Sequence, residues 1–331
     1  MQIRQKPPNT LLRAGKIPVY AALLCAILAF SAHASGINSV GFREIRGDDV
    51  VFGLWYPADA ASETARFGRF AAEYAEDAPP VGDALPLVLL SHGSGGRYRN
   101  HHLTASYLAQ NGFVVAAPQH AKIKRKFSDI PGRVGDIKNA VAALRLHPDF
   151  AEKLNFENIN AVGYSRGGAA ALAAAGADIN ISAFLLHCAK HYAEDENACG
   201  GLPLWTRLFL RFQSAYLKKR EPEILDFSQN PAPFQKIALV APVGQCMDAA
   251  SLKTLRAQTL ILQIENDNEL RAPYHAEYLR ANLPPGKTRF TAVKNGHHFL
   301  FVALPALTEA EKATLPAKFD PPGFDRKKFI A

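Results

Sequence analysis

The stretch Ile159-Asn160-Ala161-Val162-Gly163-Tyr164-Ser165-Arg166-Gly167-Gly168 decides the reading of this chain. Its first half is a short apolar run that suits a buried strand. The residues after it, through Ala175, are rich in alanine and suit a helix. Between them stands G-x-S-x-G. A strand that turns into a helix within so few residues forces the serine into a strained backbone, and glycines on either side let strand and helix approach closely. The hydroxyl of Ser165 is then lifted above the sheet at the positive end of the helix dipole.

Working outward, strands and helices alternate. Val40 to Pro57 reads as a hairpin turning at Gly47-Asp48-Asp49, and Ala58 to Ala84, rich in Ala, Glu and Pro, reads as a surface excursion. Leu87–Leu90, Phe113–Ala117, Ile159–Gly163, Ala183–Leu186, Ile237–Val240, Thr259–Ile264 and Arg289–Val293 read as strands. Helices are expected over Leu103–Gln110, around Val134, Ile137, Val141 and Leu144, after Ser165, and over Pro273–Leu283. This order predicts an α/β fold with a mostly parallel central sheet flanked by helices, whose chemistry gathers at the carboxyl ends of the strands.

Three further segments fall at such ends. Ser91-His92-Gly93-Ser94-Gly95-Gly96 follows Leu87–Leu90, and its glycines would let backbone N–H groups face a developing oxyanion. The Ser94 amide and the amide of Arg166 are the expected donors, and His92 reads as a residue that fixes the loop. A serine hydroxyl needs a histidine base and an acid that orients it. Glu265-Asn266-Asp267-Asn268-Glu269 and Gly296-His297-His298-Phe299-Leu300-Phe301 stand where the fold would place them. Asp267 is the preferred acid, with Glu265 and Glu269 open on spacing alone. Of the adjacent histidines one only can reach Ser165, and the residues alone leave His297 and His298 open. His101, His102 and His120 show no metal-ligand spacing to a carboxylate or cysteine, so no metal and no cofactor is expected.

These residues together resemble the α/β-hydrolase superfamily. In particular they resemble the predicted dienelactone hydrolases that are similar to platelet-activating-factor acetylhydrolases. The likeness runs from about Val40 to Pro305 and rests on Leu89 to Gly96, on Asn111-Gly112-Phe113-Val114-Val115-Ala116-Ala117-Pro118, on the serine turn, on Asp267 and on His298-Phe299-Leu300-Phe301. It implies the α/β-hydrolase fold with Ser165, Asp267 and His298 as catalytic residues. Dienelactone hydrolases proper use a cysteine where this chain has Ser165, so their substrate is not implied. The implied activity is that of a serine esterase on a small ester. A peptidase or amidase with the same triad is the rival enzyme, and a non-catalytic binding protein that retains the fold is the rival of another class.

Composition sets the frame. With 331 residues, 48% of them hydrophobic and 21% charged, the chain is long enough to bury a large core and too apolar to be disordered. Arg4, Lys6, Arg13 and Lys16, the apolar run Ile17–Phe30 and the small residues Ala32 and Ala34 read as a secretory signal peptide over 1–34, with the hydrolase domain at 35–331. Export to the periplasm or medium is therefore expected, with cleavage after Ala34. Removing the four leader cations leaves 34 basic against 30 acidic residues, so the net charge drops from +8 to +4. The clusters Lys122 to Lys126 and Lys218-Lys219-Arg220 lack interleaved stacking aromatics and are not read as a nucleic-acid surface. An insertion at about 188–230, with Leu202, Leu204, Trp205, Leu208, Phe209, Phe212 and Tyr216, is expected to cap the site helically, either by core packing or with membrane or lipid contact. Of Cys188, Cys199 and Cys246, the first two flank a polar segment that a disulfide would close. Three buried thiols is the equal alternative.

Overall fold

The computed structural model describes residues 37–67, 70–121, 129–200 and 221–303. The expected leader at 1–34, the cluster at 122–126, the apolar part of the expected cap at 201–220 and the chain after 303 lie outside the described residues.

Strands β1 (Ser39–Arg46) and β2 (Val51–Ala58) form the expected antiparallel hairpin. Next come β3 (Glu63–Phe67), β4 (Phe70–Glu76) and β5 (Leu85–Ser91), then α1 (His102–Gln110), β6 (Val114–Pro118), α2 (Ile130–Leu146), β7 (Leu154–Tyr164) and α3 (Arg166–Ala174). The two-residue strands β8 (Ile179–Asn180) and β9 (Ile224–Leu225) pair with each other around α4 (Ile181–His191) and the one-turn α5 (Glu196–Cys199). The chain continues through β10 (Phe234–Val240), α6 (Ala249–Lys253), β11 (Gln258–Ile264), α7 (Ala276–Asn282) and β12 (Thr288–Val293).

The large sheet has the order β12-β11-β10-β7-β5-β6-β2-β1-β4-β3. From β12 to β6 every pairing is parallel; the remaining part is mixed, with β2 antiparallel to both β6 and β1. The chain leaves β5 toward β6 on one side and returns to β7 on the other. The carboxyl ends of β5 and β7 therefore flank the point where strand order reverses, the place where an open sheet leaves a crevice. Two apolar clusters, one on each face, fill the layers between sheet and helices. Alternate residues divide between them: Trp55 packs with Phe42 on one face and Tyr56 with Phe150 on the other.

Two expectations are corrected. Ala58 to Ala84 is no mere excursion, because β3 and β4 extend the sheet. β4 lies parallel to β1, and Tyr74 stacks on Phe42 with ring centroids 5.3 Å apart. Ala and Glu are the commonest residues of these strands, so pairing with β1 rather than local preference makes them strands. Ala183–Leu186 is helical and lies inside α4. A four-residue apolar run has no period to tell helix from strand. Here the Asn180 side chain accepts from the Ala183 amide at 2.8 Å and starts the helix.

Candidate active site

The turn at Ser165 is built by sterics. Ser165 has φ 55° and ψ −119°, a conformation that costs energy and survives only where its surroundings fix it. Its amide donates to Val240 O at 2.9 Å, and its carbonyl accepts from Gly168 N at 2.9 Å and Val243 N at 3.1 Å. A Cβ on Gly163 would lie 2.5 Å from Gly167 O, and one on Gly167 would lie 1.9 Å from Ser91 O. Glycine at both positions lets α3 start directly against the ends of β5 and β7.

Three side chains from three strand ends meet there. His298 donates from Nδ1 to Asp267 Oδ2 at 2.8 Å, and Ser165 Oγ lies 3.2 Å from His298 Nε2. All three residues are buried. The other Asp267 oxygen accepts from the Glu269 and Leu270 amides at 2.9 and 2.8 Å, so the carboxylate cannot swing away. Of the other acids, Glu265 accepts from the Asn295 amide at 2.7 Å, which ties the acid loop to the histidine loop. Glu269 reaches the cavity beside the serine. It is His298, not its neighbour His297, that stands between Ser165 and Asp267.

Ser94 and Arg166 border the same cavity of about 240 Å³. The Arg166 amide is the first of α3, where helix geometry leaves N–H groups without an intrahelical acceptor. The Ser94 amide donates to no acceptor among the described residues. A larger concavity of about 780 Å³ lies at the amino ends of β10 and β11. It has no His, Cys, Asp or Glu in its wall among the described residues, so it holds no comparable chemistry.

Several contributors carry no sequence signal. Tyr164 donates its hydroxyl to His298 O at 2.9 Å and packs its ring 5.3 Å from the imidazole, which holds the histidine loop over the serine. Asn197 and Ala198, on α5, wall the cavity from above. Their segment is closed by a disulfide between Cys188 and Cys199, whereas Cys246 is a buried thiol pushed up to about 12 by desolvation. Asp195 anchors the same segment, accepting from His187 Nε2 at 2.8 Å and His275 Nε2 at 2.9 Å. Burial alone would raise its carboxyl, but these two donors win and hold it below the usual carboxylate range.

The remaining histidines of the sequence reading each have a structural partner. His92 donates from Nδ1 to Gly93 O at 2.8 Å and accepts at Nε2 from the His120 amide at 3.2 Å. Burial, with His120 and Arg133 close by, pushes it well below the ordinary histidine range, and it stays neutral. His101 packs on Tyr164 and His102 meets the Tyr74 hydroxyl; burial lowers both to about 4. His120 lies between Ser91 and Asp136: Ser91 Oγ is 2.9 Å from Nε2, and Nδ1 donates to Asp136 at 2.8 Å. No protein-family model and no curated protein matches this chain.

Proposed function

We propose that this chain is an exported serine hydrolase of the α/β-hydrolase type, acting on carboxylic esters. The observation that carries this reading is the hydrogen-bonded chain Ser165–His298–Asp267 at a strained strand-to-helix turn, opening on a cavity lined by Ser94 and Arg166. Ser165 Oγ attacks the ester carbonyl carbon while His298 Nε2 takes its proton. Asp267, already bound to Nδ1–H, orients the ring and stabilises the imidazolium. The carbonyl oxygen, now negative, is held by the Arg166 and Ser94 amides. The His298 Nε2–H then protonates the leaving alkoxide, and an acyl-enzyme remains. Water attacks the acyl carbon, His298 takes its proton, and Ser165 leaves with that proton restored. The acid–base and nucleophilic groups in these steps all belong to this chain, and water is the co-reactant.

A fluorophosphonate probe followed by a panel of chromogenic esters, with aminoacyl amides alongside, tests the reading. Expected is covalent labelling at Ser165 and turnover of short-chain esters well above the amides. Preferential amide turnover would make the chain an amidase or peptidase, and no labelling with no turnover would make it a binding protein.

A further inference from the structure

Behind the two amides lies a buried ionic group that the serine mechanism does not use. Asp129 precedes α2 and uses both carboxylate oxygens. Oδ2 accepts from Arg133 Nε at 2.7 Å and Oδ1 accepts from Arg166 Nη1 at 3.2 Å. Arg133, one turn further on, donates from Nη1 to His92 O at 2.6 Å, and its Nη2 lies 3.4 Å from Gly93 O. Asp129, Arg133 and Arg166 are 3%, 3% and 7% exposed, so water does not compete for these contacts. A single carboxylate thus joins the residue that carries one amide to the loop that carries the other.

Peptide geometry turns this link into a constraint on the reacting atoms. The Gly93 carbonyl and the Ser94 N–H belong to one planar trans peptide and point in opposite directions. Whatever holds Gly93 O therefore aims the Ser94 N–H. That oxygen is held by His92 Nδ1–H at 2.8 Å and by Gly96 N at 3.3 Å, while Arg133 holds the peptide just before it through His92 O. On the other side, Asp129 holds the Arg166 side chain and so the first turn of α3.

We propose that Asp129 and Arg133 are positioning residues that keep the Ser94 and Arg166 amides in register for the oxyanion. This rests on the serine-hydrolase reading. The forked guanidinium matters because it bonds the carboxylate and a loop carbonyl at once, which an ammonium cannot do in the same geometry.

The test uses the full chain with Arg133→Lys, Arg133→Met, Asp129→Asn and the Asp129→Asn/Arg133→Met double variant, beside Ser165→Ala. For each, kcat and KM on a short-chain ester are read together with inhibition by a trifluoromethyl ketone, whose adduct places an oxyanion in the same hole. Loss of one oxyanion donor costs about 10² to 10³ in kcat, and a misaimed donor should cost about 10- to 100-fold. Expected is that fall in kcat with KM within about twofold, a parallel weakening of the ketone, partial recovery in Arg133→Lys over Arg133→Met, and a double variant no worse than the poorer single. A folded Arg133→Met chain with wild-type kcat and ketone affinity overturns the proposal. So does a fall in kcat that the ketone does not follow. If Asp129→Asn does not fold, the Arg133→Lys and Arg133→Met pair still decides. An inactive wild type removes the hydrolase reading itself, whereas an active wild type with a dead Ser165→Ala and unaffected Arg133 variants removes the positioning role alone.

Discussion

Two serine–histidine–aspartate chains lie side by side in this protein. Ser165–His298–Asp267 has separations of 3.2 and 2.8 Å, and Ser91–His120–Asp136 has 2.9 and 2.8 Å. The serines sit at the ends of neighbouring strands, with Ser91 in register with Gly163, two residues before Ser165. By hydrogen-bond distance alone the second chain is the tighter. Everything around the hydroxyls differs. Ser165 stands at a positive φ, at the start of a helix, on a cavity that Ser94 and Arg166 also line. Ser91 ends a regular strand, is 1% exposed, and has its carbonyl pressed against Gly167. The hydrogen-bonded Ser–His–Asp geometry is thus common to both, and only the outer chain combines it with an adjoining cavity and a strained serine backbone.

The comparison can be broken most sharply at the serines. Ser165→Ala should lower ester turnover by about 10⁴-fold or more with little change in melting temperature. Ser91→Ala should leave turnover within about threefold, because it touches no reacting atom, yet cost about 1–3 kcal/mol of stability by leaving His120 Nε2 buried without its donor. Denaturant unfolding and ester kinetics on the two variants read both halves. The histidines come next. His298→Ala should cost about 10² to 10⁴ in rate, while His297→Ala stays near wild type on the same ester. The opposite pattern would shift the base by one residue.

A smaller effect separates the wall of the outer chain from its chemistry. The Cys188–Cys199 disulfide closes the segment bearing Asn197 and Ala198. Cys188→Ser/Cys199→Ser should lose about 3 kcal/mol by the loop-entropy relation and change preference among ester chain lengths, while Ser165 still reacts with a fluorophosphonate. Thermal melts and the ester panel measure the two consequences.

The last expected effect is on the pH dependence of stability. Burial lowers His92, His101, His102 and His120, the second and third to about 4, so between their folded values and about 6.5 the unfolded chain binds more protons than the folded one. Their contribution is full above about 6.5 and is lost as pH falls toward 4. Asp136 acts oppositely. Burial raises it to about 6, so between about 4 and 6 the folded chain holds the extra proton, and stability from this group falls as pH rises. Four histidines outweigh one carboxyl, and denaturant midpoints should drop as pH is lowered below 6.5. Asp136→Asn, which removes the opposing group, should make that drop steeper.

The outer chain was legible in the sequence because its parts are local. A strand-to-helix turn needs its glycines at 163 and 167, and acid and histidine loops follow particular strands. The spacing left Glu265, Glu269 and His297 open, and the register of the last loops decides among them only in three dimensions. The inner chain was not legible. Ser91, His120 and Asp136 come from the ends of β5 and β6 and from α2, and only the sheet order, with β6 beside β5, brings them together. Asp129 and Arg133 were hidden for the same reason, since an acid and an arginine four residues apart on a helix ordinarily make a surface pair. The β3–β4 hairpin and α4 escaped because pairing with β1 and the Asn180 cap, rather than residue preference, determine them.

The central claim is that access and strain, not the hydrogen-bonded chain as such, mark Ser165 as the nucleophile. Fluorophosphonate labelling of the folded wild-type chain, followed by tryptic digestion and mass spectrometry, tests it directly. The peptide Leu154–Arg166 contains Ser165 as its only serine, and Phe70–Arg97 contains Ser91. The account predicts a stoichiometric adduct on the first peptide and none on the second. An adduct on Ser91, or none on Leu154–Arg166, would contradict it.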